Sequence, residues 1–144
     1  MFDQILNVVK EQMANHPQAA AAIPADKADD VHKEVASHIE QGLKGQASSS
    51  GGIGGLLSGL TGAAGSGNPL TGAIEGGLVS SLASKFGLPP AVTGAIAGAL
   101  PGILQKFAQK ATDPGDKSIN LESITKSMGG GGLAGGLGNI LGKF

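Results

Sequence analysis

Glycine limits what this chain can fold into more than any other residue type. The sequence has 26 glycines among 144 residues, well over twice the average share of about 7%. Each glycine inside a helix or strand costs about 0.5–1 kcal/mol relative to alanine. The glycines follow no three-residue period, which excludes collagen. Regular structure is therefore expected only where the apolar residues between them keep a clear periodicity.

The residue types that the chain lacks exclude several classes of function. All ten basic residues are Lys, and the sequence has no Cys, Trp, Tyr or Arg. Without Cys there is no disulfide, thiol nucleophile or thiolate metal ligand. Ten Lys against eleven acidic residues leave a net charge of -1, so no basic field attracts nucleic acid. The guanidinium forks that read bases are missing and Phe is the only aromatic, so we expect no nucleic-acid partner.

An N-terminal pair of helices is predicted in residues 1–45. In the first helix, apolar residues recur at steps of three and four until Pro17 interrupts the pattern. These residues are Phe2, Ile5, Leu6, Val9 and Met13. Asp3 stands where a secretory signal carries positive charge, and the apolar run is short. We therefore expect a cytoplasmic protein.

The second helix of the pair is the better specified one. Asp26 is a candidate N-cap and Gly45 a candidate C-terminal stop. Glu40 and Lys44 have the i,i+4 spacing of an ion pair. The apolar stripe repeats every four residues, at Val31, Val35, Ile39 and Leu43.

Residues 46–67 predict a flexible linker. The segment is rich in Gly and Ser and contains eight glycines, a composition typical of linkers. Its apolar residues predict at most one or two weak helical turns. They are Ile53, Leu56, Leu57 and Leu60.

Residues 68–144 predict a helical domain with a Gly-rich C-terminal segment. Asn68 is a candidate N-cap in front of Pro69, which suits the first helical position, and Gly87 is a candidate stop. A second helix follows, in which Pro101 predicts a kink or a break. The apolar positions at helical spacing are Leu70, Ile74, Leu78, Leu82 and Phe86, then Val92, Ile96, Leu100, Ile103, Leu104 and Phe107.

The fold class that follows is all-α, a small bundle of short helices completed by a short helix at 120–128 and an apolar segment at 133–144. A weak internal repeat links the two halves. Ile23-Pro24, followed by the apolar stripe of its helix, lies 65 positions before Leu88-Pro89, which is followed by a similar stripe. Duplication and chance both explain this match, because any two amphipathic helices after a proline look alike.

Two glycine motifs resemble phosphate-binding loops and fail on their context. Residues 130–135 fit G-x-G-x-x-G, but they follow a predicted helix and only nine residues come after them, whereas the motif needs a preceding strand and a later acidic residue. Gly142-Lys143 resembles the end of a Walker motif, but Leu137 stands where Gly is required and Phe144 replaces Ser or Thr. We expect no cofactor.

The candidates for metal binding and catalysis are equally weak. His32 and His38 are six residues apart, about 240° around a helix axis, so one metal ion does not easily take both. We interpret them as part of a solvated charged face and expect no metal site. The serines lack a G-x-S-x-G elbow, and Glu75 is a lone carboxylate within an apolar segment. We expect no enzyme activity and no catalytic residue.

Gly94, Gly98 and Gly102 form the one pattern with a definite physical use. Glycines at every fourth position give a flat helix face that another helix can approach closely. Close packing within one bundle is the favoured interpretation and self-association the second. Membrane insertion comes last, because prolines interrupt this uncharged stretch and its hydrophobicity is low.

The second half also resembles a known family. The resemblance rests on an L-x-x-x-x-G-[LV] segment, then a helix ending in an L-P-x-[IL]-[IL] step, then a Gly/Leu-rich tail with a Lys-Phe end. Here these are Leu82 to Leu88, Leu100-Pro101 with Ile103-Leu104, and residues 133–144. About half the chain, residues 70–144, is similar to the YidB-like family of small bacterial proteins of unknown function. The resemblance implies an all-helical soluble fold and supplies no catalytic residues.

Together these observations favour a non-enzymatic protein that binds a protein partner or a second copy of itself through helix faces lined with Gly and Ala. The alternative is peripheral association with a membrane surface through the amphipathic N- and C-terminal segments. The N-terminal segment has only Lys10 against Asp3 and Glu11, so attraction to anionic lipid is missing.

Overall fold

The computed structural model describes residues 2–49, 51–62, 68–113 and 115. These residues form an all-α bundle, as the sequence predicts, and the described segments contain no strand. The six helices in chain order are α1 (Phe2–Asn15), α2 (Pro17–Ala22), α3 (Ala28–Ser49), α4 (Ile53–Gly62), α5 (Pro69–Phe86) and α6 (Pro90–Thr112).

The apolar stripes of α1 and α3 are buried where the periodicity places them. All four stripe residues of α3 are fully buried, and in α1 Ile5, Val9 and Met13 are buried while Phe2 and Leu6 are partly so. The ion pair between Glu40 and Lys44 is present at 3.1 Å.

Both predicted ends of α3 are wrong. Asp26 lies in a turn before the helix, which begins at Ala28. At the other end α3 continues past Gly45 to Ser49, where Ala47 packs against the core. Gly51, shortly after the helix, has a φ of +79°. This left-handed conformation is one that glycine adopts without strain.

The segment predicted as a linker also differs from expectation. Residues 46–49 belong to α3, and α4 occupies ten residues of the rest. Leu56 and Leu60 of α4 are buried at 1% exposure, and α4 packs on α3 and α6. Tertiary burial of these leucines therefore offsets the helix-weakening effect of the glycines.

Both ends of α5 lie where the sequence predicts them. The side-chain oxygen of Asn68 accepts a hydrogen bond of 2.9 Å from the backbone N–H of Leu70, and Pro69 takes the first helical position. Gly87 ends α5 in the left-handed region with φ +62°. By contrast, α6 runs through Pro101 without interruption, so the predicted break is absent. Leu100 on one side of the proline and Ile103 on the other are both fully buried and hold the helix in place.

The two halves of the chain share one hydrophobic core. Helix α1 packs on α3 from its own half and on α6 from the other half, and α5 packs on α6 and on α3 in the same way. Polar links cross between the halves as well: Lys27 Nζ donates to the Phe86 carbonyl at 3.1 Å, and Lys110 pairs with Glu11 at 3.1 Å. The N-terminal pair and the C-terminal helices thus fold as one bundle over the described residues.

The internal repeat extends over much of this core. Eight pairs of residues separated by 65 positions are buried in both halves. They are Ile5 and Leu70, Val9 and Ile74, Met13 and Leu78, Ile23 and Leu88, Val31 and Ile96, Val35 and Leu100, Ile39 and Leu104, and Leu43 and Ala108. Because the packing partners are exchanged in the same way, α1 corresponds to α5 and α3 to α6.

The closest approach at a glycine lies between α3 and α5. A Cβ added at Gly42 would come within 2.5 Å of Ile74 Cγ1 and 2.7 Å of its Cδ1. Ile74 is itself a core residue with 3% exposure, so a methyl group at position 42 would have to displace a packed side chain. Glycine at position 42 therefore lets the two halves meet.

Replacing Gly42 with alanine should destabilise the protein. The fair reference is Gly45→Ala on the same helix, where nothing lies within 4 Å of the new methyl group. Both changes gain about 1 kcal/mol of helix propensity, but only Gly42→Ala overpacks the core, which costs about 1–3 kcal/mol. Urea unfolding should therefore place Gly42→Ala below Gly45→Ala by about that difference. Equal stability of the two variants would show that α3 and α5 do not meet at this glycine.

Candidate functional site

The glycine face of α6 lies on the outside of the bundle. Gly94 and Gly98 are exposed, and among the described residues no heavy atom lies within 4 Å of a Cβ built at either position. Gly102 is half-buried, with Gln12 Oε1 and His16 Nε2 each 3.7 Å from its added Cβ. Within the described residues, no helix packs against Gly94 or Gly98. An added Cβ would instead come close to another residue at Gly42, Gly59, Gly62 and Gly77, and the sequence pattern did not single out Gly42.

The sequence along this face is uncharged. Between Lys85 and Lys106 the sequence has no charged residue. We define the outer face of α6 by its exposed or half-exposed small residues: Ala91, Gly94, Ala95, Gly98 and Gly102. These residues have no side chain that donates or accepts a hydrogen bond, and the polar side chains of Gln12 and His16 border the face at Gly102.

Helix α6 is also long and apolar enough to cross a membrane. It is the one helix of the described segments with this property, with 23 residues and a mean hydropathy of 1.2 in its most apolar window. Half of that window is buried inside the bundle. A core helix of a soluble protein has the same character, so length and composition do not distinguish a membrane span from a buried core helix.

A polar cluster joins α3 to α5 beside their crossing. Glu34 Oε1 accepts hydrogen bonds from Ser81 Oγ and, at 2.8 Å, from Lys85 Nζ. His38 Nε2 lies 3.2 Å from the same oxygen. The Glu34 side chain is only 15% exposed, whereas Lys85 is 60% exposed. We call these four residues the Glu34 cluster.

The electrostatics of the cluster favour an ionised Glu34. Burial raises the pKa of Glu34. The hydrogen bonds from Lys85 and Ser81 and the charges of Lys85 and His38 together lower it by more, so the net pKa lies below its ordinary value. Each of these donors stabilises the carboxylate.

The Glu34 cluster contains Ser, His and Glu, but its geometry is not that of a catalytic triad. In a triad the serine donates to the histidine, which removes its proton, and the carboxylate orients that histidine. Here Ser81 donates to the carboxylate itself. The hydroxyl therefore makes no contact with the imidazole of the kind a triad needs, and the arrangement connects two helices.

His38 also borders a shallow cleft of about 230 Å³ between α3 and α5. Its lining is His38, Gln41, Gly42, Ala73 and Ile74. A Cβ at Gly77 would lie 3.3 Å from His38 Nδ1, so the absence of a side chain at residue 77 leaves room for the imidazole. The cleft is a by-product of the small residues at this crossing.

The two histidines of α3 have different surroundings. His38 belongs to the Glu34 cluster, whereas His32 lies near Lys10 and Asp29 of the α1–α3 contact. Burial lowers the pKa of His32, and the charge of Lys10 lowers it further while Asp29 opposes the change. Within the described residues no group of three His, Asp or Glu side chains is placed to hold a metal ion.

Several sequence predictions fall on residues outside the described ranges. They are the short helix at 120–128, the apolar segment at 133–144 and the two phosphate-loop resemblances at 130–135 and 142–143.

The Glu34 cluster predicts an acid-dependent loss of stability. Because the pKa of Glu34 is lowered in the folded state, the stabilisation is complete above the unfolded pKa and is lost as pH falls through the folded pKa. Glu34→Gln should therefore reduce the free energy of unfolding at pH 7 by on the order of 1 kcal/mol. The gap to the wild type should shrink as the pH falls below the ordinary range of a glutamate.

The matched control is Glu40→Gln, since Glu40 pairs with Lys44 within α3 and such pairs contribute about 0.3–0.5 kcal/mol. Urea unfolding at several pH values measures both variants. A gap for Glu34→Gln that is the same at pH 3 and pH 7 would contradict the assignment.

Comparison of the chain with protein-family models, with curated proteins and with solved structures finds no match. Its function must therefore be argued from the residues and surfaces described above.

Proposed function

We propose that this protein is a non-enzymatic interaction protein whose contact surface is the outer face of α6. The observation that carries the proposal is the placement of Gly94 and Gly98 on the outside of the described bundle, within a stretch of sequence that has no charged residue between Lys85 and Lys106. Charged residues are depleted at the centres of protein interfaces. A flat helix face is also the shape that allows another helix to approach closely.

The polar residues of the described helices support the same proposal. The serine, histidine and carboxylate that come together in the Glu34 cluster are committed to linking α3 and α5. Because Ser81 donates to Glu34 and not to His38, the cluster lacks the serine–histidine pair of a catalytic triad.

The alternative, association with a membrane surface, loses one of its two supports. The apolar side of α1 that would enter the lipid is used in the core, with Ile5, Val8, Val9 and Met13 each at most 1% exposed. Insertion of α1 would therefore require the bundle to open. The other support, the apolar segment at 133–144, lies outside the described residues.

The resemblance of residues 70–144 to the YidB-like family fits the proposal. The helical architecture that it implies agrees with the all-α bundle over the described part of the chain. The family contributes no activity that would compete with a binding role. A bacterial, cytoplasmic interaction protein is thus the identity that we propose.

The proposal predicts that a bulky side chain on this face removes a bound protein. Immobilised full-length protein should retain at least one protein from a lysate of its native cell, and Gly98→Leu should reduce its recovery about tenfold, which corresponds to about 1.4 kcal/mol. Gly45→Leu is the matched control, because Gly45 is also exposed with open space around it.

Quantitative mass spectrometry of the retained proteins, with the chain itself included, measures the effect. Circular dichroism of both variants checks that the helices are intact. Identical recovery by the wild type, Gly98→Leu and Gly45→Leu would remove the outer face of α6 as the contact surface.

A further inference from the structure

The cleft between α3 and α5 is a by-product of small residues, and the internal repeat identifies the larger side chains that they replace. Equivalent residues are 65 positions apart, so Gly42 of α3 corresponds to Phe107 of α6, and Ala73 of α5 corresponds to Val8 of α1. Phe107 is fully buried and Val8 is 1% exposed. Within the described residues, one half of the bundle therefore has an aromatic ring and a valine where the other half has a cleft.

The row of α3 residues beside the cleft also differs from its counterpart in polarity. The row consists of Glu34, His38 and Gly42, and the equivalent residues of α6 are Ala99, Ile103 and Phe107. All three residues of α6 are at most 1% exposed. An apolar row is thus compatible with this architecture, and α3 has a carboxylate and an imidazole in its place. Residues that break a local rule of the fold are expected at functional sites.

We infer that this cleft binds a small neutral aromatic molecule that carries one hydrogen-bond donor, such as an indole or a phenol. The aromatic ring takes the place that the Phe107 side chain fills in the other half. The cleft has a volume of about 230 Å³, and an engineered apolar cavity of about 150 Å³ is large enough to bind benzene. The inference goes beyond the proposed function, because this cleft is not part of the outer face of α6.

The lining of the cleft has the chemistry that such a molecule needs. Ala73 and Ile74 supply apolar surface from α5, and Gly42 lets a ring approach the backbone of α3. The amide nitrogen of Gln41 donates to Ser37 Oγ at 3.3 Å, and the carbonyl oxygen of the same amide is an acceptor. An apolar lining with a few polar groups is typical of small-molecule sites. None of the five lining residues is Lys, Asp or Glu, which favours a neutral ligand.

The Glu34 cluster positions the second polar group of the lining. His38 Nε2 lies 3.2 Å from Glu34 Oε1, and the missing side chain at Gly77 leaves room for the imidazole. The carboxylate in turn is held by Ser81 and Lys85 of α5. The imidazole is therefore fixed at the edge of the cleft before a ligand arrives, which reduces the entropy lost on binding.

The repeat also supplies the substitution that tests the inference. Ala73→Val places on α5 the residue that α1 has at Val8, and the added methyl groups occupy the cleft. Ala83→Val is the matched control, because Ala83 is an exposed alanine of the same helix and does not line the cleft. Both changes alter helix propensity equally, so a difference in binding between them reports on the cleft.

Titration of the full-length protein with indole, followed by two-dimensional 1H–15N NMR, measures the binding. The wild type should show saturable shifts at the backbone amides of Gln41, Gly42, Ala73 and Ile74. Ala73→Val should raise the dissociation constant at least about tenfold, or about 1.4 kcal/mol, and Ala83→Val should leave it unchanged. The wild type should bind 1-methylindole more weakly than indole, because the methyl group replaces the N–H donor. Circular dichroism checks that both variants remain helical.

Shifts that do not saturate, or that lie away from the lining residues, would overturn the site. Equal affinity of Ala73→Val and Ala83→Val for indole would overturn it as well. Equal affinity of the wild type for indole and 1-methylindole would overturn the ligand class, because no hydrogen bond from the ligand would then contribute. The capture experiment with Gly98→Leu tests a different surface, so the proposed function stands or falls separately.

Discussion

The bundle depends on the fact that neither half can bury its own apolar residues. A single pair of helices covers each stripe on one side only, and a fully buried aliphatic side chain contributes about 1.5–3 kcal/mol that a half-exposed one does not. Each half therefore packs one of its helices against a helix of the other half. Helix α1 completes the burial of α6, and α5 completes the burial of α3. Folding of either half is therefore coupled to folding of the other.

The packing between the two halves leaves little space for a side chain where α3 crosses α5. Ile74 occupies the space that a side chain at residue 42 would need. On the solvent side of this crossing, Glu34 takes hydrogen bonds from Ser81 and Lys85 of the opposite helix. The apolar contact sets the distance between the helices, and the polar cluster holds their relative position. One carboxylate with several donors suits this task because charge-assisted hydrogen bonds are directional and strong.

The fold could be predicted from the sequence wherever apolar periodicity was uninterrupted. The stripe of α3, the cap at Asn68 and the stop at Gly87 all follow from local rules. Local rules failed where tertiary contacts decide. Gly45 is a good stop by composition, but α3 continues past it because Ala47 reaches the core. Likewise α4 forms in glycine-rich sequence because Leu56 and Leu60 are buried against the rest of the bundle.

The Glu34 cluster could not be predicted for a related reason. Glu34 and Lys85 are 51 positions apart and lie on different helices, and nothing in the local pattern distinguishes Glu34 from the solvated acids beside it. Only the crossing of α3 with α5 makes Glu34 a buried acceptor. Helical periodicity places such a residue at the edge of the apolar stripe, but it does not reveal which helix lies opposite.

Glycine shows most clearly what spacing can and cannot say. Gly94 and Gly98 have the regular pattern of a packing face and are exposed, whereas Gly42 belongs to no regular pattern and is where two helices meet most closely. Spacing describes a helix surface and is silent about what covers it.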